Sequence, residues 1–239
     1  MKRIGILTGG GDCPGLNAVL RSVGKTLLRH NIELIGFEDG FLGVLERRYR
    51  VLGQAELSGI IHLGGTILGT SNRDNPFRWK PMNAPPEAEF QDRSAEVAAL
   101  ARELGLEGLI VVGGDGSLSI AERLHREGVI RTVGVPKTID NDLNATDVTF
   151  GFDTACTVAT EAVDRLHSTA MSHHRVMVVE VMGRYAGWIA LYAGVAGGGD
   201  VILIPEIPYN MDVVNETVLR RSRLGKRFSI VVVAEGAKT

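Results

Sequence analysis

The sequence predicts a doubly wound α/β fold in which parallel strands are joined by helices. Two observations support this class. Short runs rich in β-branched residues alternate along the chain with segments of helical periodicity, a pattern typical of strands connected by crossover helices. The chain has 239 residues, of which 44% are hydrophobic, which is enough to bury the core of one large domain or two modest ones.

The candidate strands are short apolar runs rich in valine and isoleucine. These residues favour pleated, buried segments, and continuous apolar runs are typical of parallel strands covered on both faces. In chain order the candidate strands are "RIGILT", "IELIGF", "GLIVVG", "RTVGVP", "RVMVVEVM", "DVILIP" and "FSIVVVAE".

The candidate helices lie between these runs. The first follows Pro14, a residue tolerated in a first helical turn, and its apolar residues from Leu16 to Leu27 recur at helical spacing. The other predicted helices cover residues 96–104, 118–126, 155–166 and 188–195.

A polar stretch, "DNDLNATDVTFGFDT", separates an earlier set of elements from a later one. We place a lobe boundary near Asn141, which gives a lobe of residues 1–140 and a lobe of residues 141–239. Ligands of open α/β sheets gather at the carboxyl ends of the strands. A boundary here would therefore put the segment "PKTIDND" in a cleft.

Composition narrows the function classes. The 26 basic and 28 acidic side chains give a net charge of −2, so no overall field draws the protein to nucleic acid or to a membrane. The run "RRSRLGKR" from Arg220 to Arg227 is either a phosphate-binding patch or a solvated helix face.

Cys13 and Cys156 form no CxxC motif, and the apolar start "IGIL" is too short for a signal peptide. We expect a cytoplasmic protein that acts on small molecules.

The stretch "TGGGDCPG" follows the first strand and opens the first helix. Consecutive glycines let backbone N–H groups approach an anion, and a helix N-terminus favours negative charge. The spacing fits neither the GxGxxG nor the Walker A fingerprint. Gly10 and Gly11 are therefore candidates for a phosphate cradle, and the alternative is a plain strand-to-helix turn.

The stretch "VVGGDGSLSIAERL" repeats this plan, with Ser117 near the start of the helix. Asp115 stands between two glycines, where it could hold a Mg²⁺ ion that bridges phosphates, and the alternative is an ordinary capping aspartate. A third glycine stretch, "GGTILGTSNR", ends in Arg73, which could neutralise phosphate.

The segment "PKTIDND" carries Lys137, Asp140 and Asp142 at the end of an apolar run. An aspartate there could accept a proton from an incoming hydroxyl. In an extended segment the two aspartates would share a side, so that the pKa of one of them would be raised, whereas Lys137 would lower the pKa of both. The stretch "EVMGRYAG" places Arg184 before a helix, where its guanidinium suits a phosphoryl group.

Taken together, the motifs resemble those of the phosphofructokinase family. They are "GGGDCPGLNAVLR", "GGTILGTSNR", "GGDGS", "PKTIDND", "GFDTA", "EVMGRYAGWIA", "IPE" and "VVVAE", in order from Arg3 to Glu235. The resemblance implies two Rossmann-like lobes with mostly parallel sheets. It further implies a glycolytic kinase that transfers phosphate to the 1-hydroxyl of fructose 6-phosphate, as a homo-oligomer, usually a tetramer, whose active sites are shared between subunits.

The resemblance also implies roles for individual residues. The nucleotide-binding positions are Gly10, Arg73, Gly114, Asp115, Gly116 and Ser117, with Asp115 at the Mg²⁺ position. Asp140 matches the catalytic base, Arg184 a group that stabilises the transition state, and Thr138 and Ile139 contacts to the sugar phosphate. Met182 and Gly183 match further sugar contacts, Arg175 an arginine that reaches a neighbouring subunit's substrate, and Glu235 a later sugar contact.

The phosphate donor is indicated by two positions. In this family a glycine at the position of Gly116 leaves room for the α-phosphate of ATP, whereas an aspartate there accompanies pyrophosphate. Lys137 is found in pyrophosphate enzymes but also in several branches that use ATP. Because an added carboxylate would exclude a nucleotide and a lysine suits either donor, we expect ATP and keep pyrophosphate as the alternative.

Two departures from the family pattern bear on function. His167 and Leu224 stand where regulated bacterial members have arginine and lysine, which puts their allosteric control in doubt here. The family normally continues beyond the position of Thr239 into a segment that grips the sugar 6-phosphate, so we expect the C-terminal part of the fold to be missing. The other hypotheses are an NAD or lipid kinase of related architecture and a non-catalytic protein that binds nucleotide or a full-length subunit.

Overall fold

The computed structural model describes all residues from Met1 to Thr239, and the chain divides into two compact units, Met1–Thr138 and Ile139–Thr239. The fold is mixed α/β with mostly parallel strands, as the sequence predicts. No helix is both long enough and apolar enough to cross a membrane.

The first unit contains five strands and four helices in alternation. The elements are β1 (Lys2–Thr8), α1 (Leu16–Arg29), β2 (Ile32–Phe37), α2 (Phe41–Leu45), β3 (Tyr49–Val51), α3 (Ser94–Leu104), β4 (Leu106–Gly113), α4 (Asp115–Arg126) and β5 (Thr132–Thr138). The strands lie in the order β3-β2-β1-β4-β5, and every pair except β2–β3 is parallel.

The sheet of the first unit is buried because its central strands are apolar on both faces. Ile6, Leu7, Val111 and Val112 are fully inaccessible to solvent. Helices α3 and α4 cover one face through Leu100, Leu104 and Leu124, among other residues. The carboxyl ends of β1, β4 and β5 therefore lie together at one edge, since adjacent parallel strands end on the same side.

The second unit contains a smaller parallel sheet. Its elements are β6 (Phe150–Gly151), α5 (Phe152–His173), β7 (Val176–Val181), α6 (Trp188–Ala196), β8 (Val201–Leu203), α7 (Met211–Arg223) and β9 (Ser229–Ala234). The three longer strands lie in the order β7-β9-β8. The core forms where α5 and α6 pack on β9, through Val163, Ala190, Ile230 and Val232.

The seven strands predicted from the sequence are all present, with ends that differ by one or two residues from the predicted runs. The short elements α2, β3 and β6 were not predicted, and neither was α7, which has no buried residue. Helix α4 begins at Asp115 rather than at Leu118. The acid of the "GGDGS" stretch therefore lies in the first helical turn.

Candidate functional site

The turn between β1 and α1 is joined to a second loop by two hydrogen bonds. Gly10 has a φ of 83°, a conformation that residues with a Cβ rarely adopt. Its N–H donates to the carbonyl of Ser71 at 2.9 Å, and its carbonyl accepts from the Thr70 hydroxyl at 2.5 Å. The glycine turn and the loop that carries Arg73 are therefore positioned by one another.

Lys137, the penultimate residue of β5, reaches the same turn. Its side chain is 4% exposed, and its Nζ donates to the carbonyl oxygen of Gly11 at 2.5 Å. Burial lowers the pKa of this ammonium, an effect opposed by the nearby Cys13 and Asp12. The lysine therefore places a desolvated positive charge beside Gly10 and Gly11.

The turn between β4 and α4 presents a helix N-terminus. Gly114 occupies the cap position without any side-chain cap, and Asp115 is the first residue of the helix. Asp115 is thus not the capping aspartate that the sequence left as an alternative. Ser117 is buried because its side chain packs against the backbone of Gly9 and Gly113, where an added Cβ on Gly9 would lie 2.5 Å from the serine Oγ.

The loop that carries Arg73 is anchored to the end of β1. The buried Thr8 hydroxyl donates to the carbonyl of Gly69 at 2.7 Å, while the Ser71 hydroxyl donates to the carboxylate of Asp74. The Arg73 N–H in turn donates to Ser71 Oγ at 3.3 Å. These bonds fix the backbone around Arg73 and leave its side chain exposed.

These three segments enclose a pocket of about 380 Å³, a volume in the range of small-molecule sites. The candidate residues that line it are Gly10, Gly11, Arg73, Gly114, Asp115, Gly116, Ser117, Lys137 and Thr138. The structure therefore brings together every residue that the sequence indicated for phosphate-donor binding.

Six further lining residues were not singled out from the sequence. They are Phe41, Ser71, Asn72, Asp74, Asn75 and Ile120. Ser71 and Asn72 lie in the quoted glycine stretch and were within reach of motif reading. Phe41 belongs to a helix with no motif of its own, and Ile120 follows the quoted glycine turn on α4, so only the tertiary structure shows that they add apolar walls.

The packing of the protein does not explain why Gly116 is a glycine. A Cβ added at this position would meet no atom within 4 Å, and Gly116 is exposed in the first turn of α4. Glycine is a poor helix former, about 1 kcal/mol worse than alanine in a helix interior. The space in front of Gly116 is therefore available to a ligand.

The pocket is compatible with a magnesium ion that arrives with a phosphate. Mg²⁺ commonly uses one or two carboxylates together with phosphate oxygens and water, rather than a cage of protein ligands. The chain has no cluster of three or more His, Cys, Asp or Glu side chains suited to a metal, whereas Asp115 supplies one exposed carboxylate at the pocket. The single carboxylate of Asp115 thus fits a Mg²⁺ ion that is held jointly by the protein and by the phosphates of a ligand.

In the second unit, Asp140 directly follows Ile139, a residue that is held in place by packing. Ile139 packs against the small core of Phe152, Cys156 and Ile189. Burial raises the pKa of the Asp140 carboxyl, and the negative charges of Asp142 and Glu235 raise it further. The candidate base and the candidate sugar contact Glu235 are therefore close enough to interact electrostatically.

The segment from Asp140 to Asp142 is not extended as expected. Asn141 adopts a left-handed conformation with a φ of 52°. Its side-chain Oδ1 accepts a hydrogen bond from the Thr149 N–H at 2.9 Å. The backbone turns at Asn141, so the alternation expected of a strand does not apply to the two aspartates.

The segment after β7 presents Met182 and Arg184 to solvent while Gly183 is buried. The Glu235 N–H donates to the carbonyl of Val181 at 3.0 Å, which ties the start of this segment to the end of β9. The Arg184 guanidinium lies 5.3 Å from the centre of the Tyr185 ring. Arg184 is therefore exposed beside the strand end that carries Glu235.

Arg175 lies at the opposite end of β7, just before Val176, and is exposed. Its N–H donates to the carbonyl of Ala170 at 3.1 Å, which closes the end of α5. Within this unit, Arg175 and Arg184 are therefore separated by the full length of a strand.

The phosphofructokinase family model matches residues 3–239. The ATP-dependent 6-phosphofructokinase 2 of Clostridium perfringens is 53% identical over 239 residues, which cover 100% of this chain and 65% of that protein. An ATP-dependent 6-phosphofructokinase of Chloroflexus aurantiacus is 54% identical over 238 residues, or 99% of this chain and 65% of that protein.

A solved phosphofructokinase structure from Saccharomyces cerevisiae superposes with a TM-score of 0.85 at 33% identity, covering 100% of this chain and 34% of that one. The chain thus spans 65% of the length of the two curated relatives named above. The match extends over nearly every residue and includes both compact units. This chain therefore belongs to the phosphofructokinase family.

Proposed function

We propose that this protein is a phosphotransferase that moves the terminal phosphate of ATP to the 1-hydroxyl of fructose 6-phosphate, a step of glycolysis. The observation that carries the proposal is the pocket of the first unit, which gathers the glycine turns, Arg73 and Lys137 around open space at Gly116. The two relatives that are about half identical to the chain are both named ATP-dependent 6-phosphofructokinases.

The donor would bind with its phosphates on the two glycine turns. The backbone N–H of Gly11 and the N-terminus of α4 at Gly114 favour negative charge, whereas the Gly10 N–H holds the turn by donating to Ser71. Arg73 and Lys137 supply cationic side chains at the same pocket. A magnesium ion held with the phosphates by Asp115 would neutralise part of their charge.

The acceptor chemistry would depend on Asp140. As general base, its carboxylate would take the proton from the 1-hydroxyl of the sugar. A base is most effective when its pKa approaches the working pH, and burial together with Asp142 and Glu235 moves the pKa of Asp140 upwards. Arg184 would stabilise the charge on the transferred phosphoryl group through its planar guanidinium.

The remaining sugar contacts are assigned by position in the family motifs. Thr138, Ile139, Met182, Gly183 and Glu235 would contact fructose 6-phosphate. Thr138 lines the donor pocket, while Met182 and Glu235 are exposed and Ile139 is anchored in a core. These positions support a role in binding.

We further propose that the protein acts as a homo-oligomer, a tetramer or dimer, in which Arg175 reaches the substrate of a neighbouring subunit. Its exposure at the end of α5 supports this role. We propose a cytoplasmic location, supported by two buried cysteines that form no disulfide bond. The balance of charge supports small-molecule partners over nucleic acid or membranes.

A pyrophosphate-dependent reaction is the second candidate, and Lys137 is the observation that favours it. A buried ammonium at the pocket would offset the high charge density of pyrophosphate. The same ammonium is compatible with the phosphates of ATP. The open space at Gly116, which pyrophosphate would leave unfilled, favours the nucleotide.

The test is a comparison of donors and acceptors. Formation of fructose 1,6-bisphosphate would be measured with Mg-ATP and with pyrophosphate, using the wild type, Asp140→Asn and the exposed control Asp147→Asn. We expect turnover with ATP that falls by at least about 10²-fold in Asp140→Asn and is unchanged in Asp147→Asn.

Three outcomes would contradict the proposal. Faster turnover with pyrophosphate would reassign the donor, and faster phosphorylation of NAD than of the sugar would reassign the acceptor. Calorimetric binding of ATP without any turnover would indicate a nucleotide-binding protein that is not itself a catalyst.

A further inference from the structure

The segment that carries Arg184 is held from two sides within the second unit. It runs from Met182 to Gly187, between the end of β7 and the start of α6, and we call it the arginine segment. On one side lie Glu235 and Gly236, directly after β9; on the other lies Glu206, three residues after β8. Both neighbours make hydrogen bonds to its backbone or to the residue that precedes it.

The contact with the end of β9 is unusually close. The Gly236 N–H donates to the carbonyl of Gly183 at 3.1 Å. A Cβ added at Gly236 would overlap the carbonyl oxygen of Arg184 and would lie 2.6 Å from its carbonyl carbon and 2.9 Å from its Cα. These are backbone atoms, which cannot move aside by rotation of a side chain. Gly236 is therefore the residue that lets the backbone of Arg184 approach the end of β9.

The contact on the other side is a charged hydrogen bond. The Oε1 atom of Glu206 accepts from the N–H of Gly187 at 2.8 Å, and Gly187 is the cap residue of α6. A carboxylate at a helix N-terminus is stabilised by the helix dipole. A Cβ on Gly187 would lie 2.5 Å from the Cβ of Ile204, so this end of the segment is also closely packed.

We infer that Gly236 and Glu206 are positioning residues that fix Arg184 for phosphoryl transfer. The inference depends on the proposed function, because it assigns a purpose to the placement of Arg184. Gly236 sets how closely the arginine segment lies to Glu235, and Glu206 fixes its other end. Neither residue needs to contact the substrate.

The expected effect of a methyl group at Gly236 follows from the geometry. The Arg184 carbonyl must move by more than about 1 Å to reach an ordinary contact distance, and a misplacement of about 1 Å can already lower a rate by about 10²-fold. Gly236 has no positive φ, so alanine introduces the overlap without backbone strain of its own.

The experiment compares Gly236→Ala, Glu206→Ala and Glu206→Gln with two controls. Gly64→Ala adds a methyl group where nothing lies within 4 Å, and Glu216→Ala removes an exposed glutamate from α7. The measurements are kcat and KM for each substrate, the thermal midpoint, and amide hydrogen exchange of residues 182–187 followed by mass spectrometry.

We expect Gly236→Ala to lower kcat by about 10–100-fold, to leave the KM for ATP unchanged and to accelerate exchange in the arginine segment. Glu206→Ala should lower kcat less, and Glu206→Gln should restore it because the amide oxygen still accepts the Gly187 N–H. The two controls should match the wild type. A Gly236→Ala variant with wild-type kinetics would overturn the inference.

The design separates failure of the inference from failure of the proposed function. If the wild type does not phosphorylate fructose 6-phosphate, the function is wrong, and hydrogen exchange alone then decides whether the two residues fix the segment. Unchanged exchange in both variants would overturn that conclusion as well. If Gly236→Ala does not fold, the contrast between Glu206→Ala and Glu206→Gln decides the inference.

Discussion

The ammonium of Lys137 donates a hydrogen bond of 2.5 Å to the carbonyl oxygen of Gly11, a residue 126 positions earlier in the chain. This bond joins the end of β5 to the glycine turn after β1. A lysine that the sequence indicated for its effect on the donor and on the aspartates thus also shapes the protein side of the pocket. A substitution of Lys137 therefore changes both the charge at the pocket and the bond that holds the turn.

The first prediction concerns this bond. Lys137→Met keeps the length of the side chain but removes the charge and the donor, and leaves the Gly11 carbonyl without the Lys137 N–H. Because hydrogen bonds to charged groups contribute about 1.5–3 kcal/mol and the phosphates would lose the Lys137 ammonium, we expect binding of ATP to weaken by roughly 10-fold or more. Calorimetric titration with ATP and with pyrophosphate would measure this, and Lys2→Met, at an exposed lysine, is the control. Equal affinity in Lys137→Met and the wild type would remove Lys137 from the donor site.

The second prediction concerns Gly116. Gly116→Asp places a carboxylate in open space at the pocket, where it would repel and obstruct the nucleotide, so we expect the KM for ATP to rise by at least about 10-fold, or 1.4 kcal/mol.

Gly116→Ala should instead stabilise the fold by up to about 1 kcal/mol because alanine favours a helix. Steady-state kinetics with both donors and urea unfolding would measure the two effects. Ser119→Ala, on an exposed position of the same helix, serves as the control, and an unaltered KM in Gly116→Asp would refute the steric argument.

The fold was largely predictable because the strands carry their own signal. Runs such as "GLIVVG" are apolar throughout, as expected of strands buried on both faces, and they appear as β1, β4 and β9 with nearly the expected ends. Helix α7 was missed because it buries no residue, and an apolar stripe is what periodicity detects. Within the basic run, Arg221 is tied into the structure, a role that the sequence does not distinguish from that of its exposed neighbour Arg220.

The donor pocket was predictable for a different reason. Its polar residues follow the strands in motifs, and parallel strands bring their carboxyl ends to one edge. The residues that fix Arg184 carry no comparable signal. Gly236 and Glu206 are meaningful only through the distance between the ends of neighbouring strands, which depends on the tertiary structure.

The third prediction concerns the pH dependence of catalysis. Asp142 raises the pKa of Asp140 by its negative charge, so Asp142→Asn should lower that pKa. The base is active when ionised, and the acid limb of the profile of kcat/KM against pH should therefore move to lower pH. Asp147→Asn, at an exposed aspartate outside this group, should leave the limb in place. An acid limb that does not move in Asp142→Asn would show that another group controls it.

The fourth prediction separates the effect of Asp140 on the stability of the protein from its effect on turnover. In the folded protein the pKa of Asp140 lies above the reference value of 3.8 that applies to the unfolded chain. Between these two pKa values the folded protein binds more protons than the unfolded one. The stability of the fold therefore falls as the pH rises through this window. The ionised carboxylate thus destabilises the fold at pH 7. We expect Asp140→Asn to raise the midpoint of urea unfolding at pH 7 while it lowers turnover by at least about 10²-fold. The gain should shrink as the pH falls towards 3.8, and a loss of stability at pH 7 would contradict this account.

The last prediction concerns an ion pair that closes the second unit. The guanidinium of Arg221 lies 2.6 Å from Asp200 Oδ1 and is 26% exposed. Its Nε donates to the Ser229 hydroxyl at 3.1 Å, and the second oxygen of Asp200 accepts from the Ile230 N–H at 2.9 Å. The pair therefore joins α7 and the residue before β8 to the start of β9.

Removing Arg221 would leave the half-buried Asp200 carboxylate without its cation. Loss of one partner from a fully buried ion pair destabilises a protein by about 3–5 kcal/mol. Because this pair is partly exposed, we expect Arg221→Ala to lower the free energy of unfolding by roughly 2 kcal/mol. Arg220→Ala, at the exposed neighbouring arginine, should change it by less than about 0.5 kcal/mol. Urea unfolding followed by circular dichroism measures both values. Equal effects of the two substitutions would show that the basic run is a solvated helix face throughout, because the pair with Asp200 would then contribute nothing to stability.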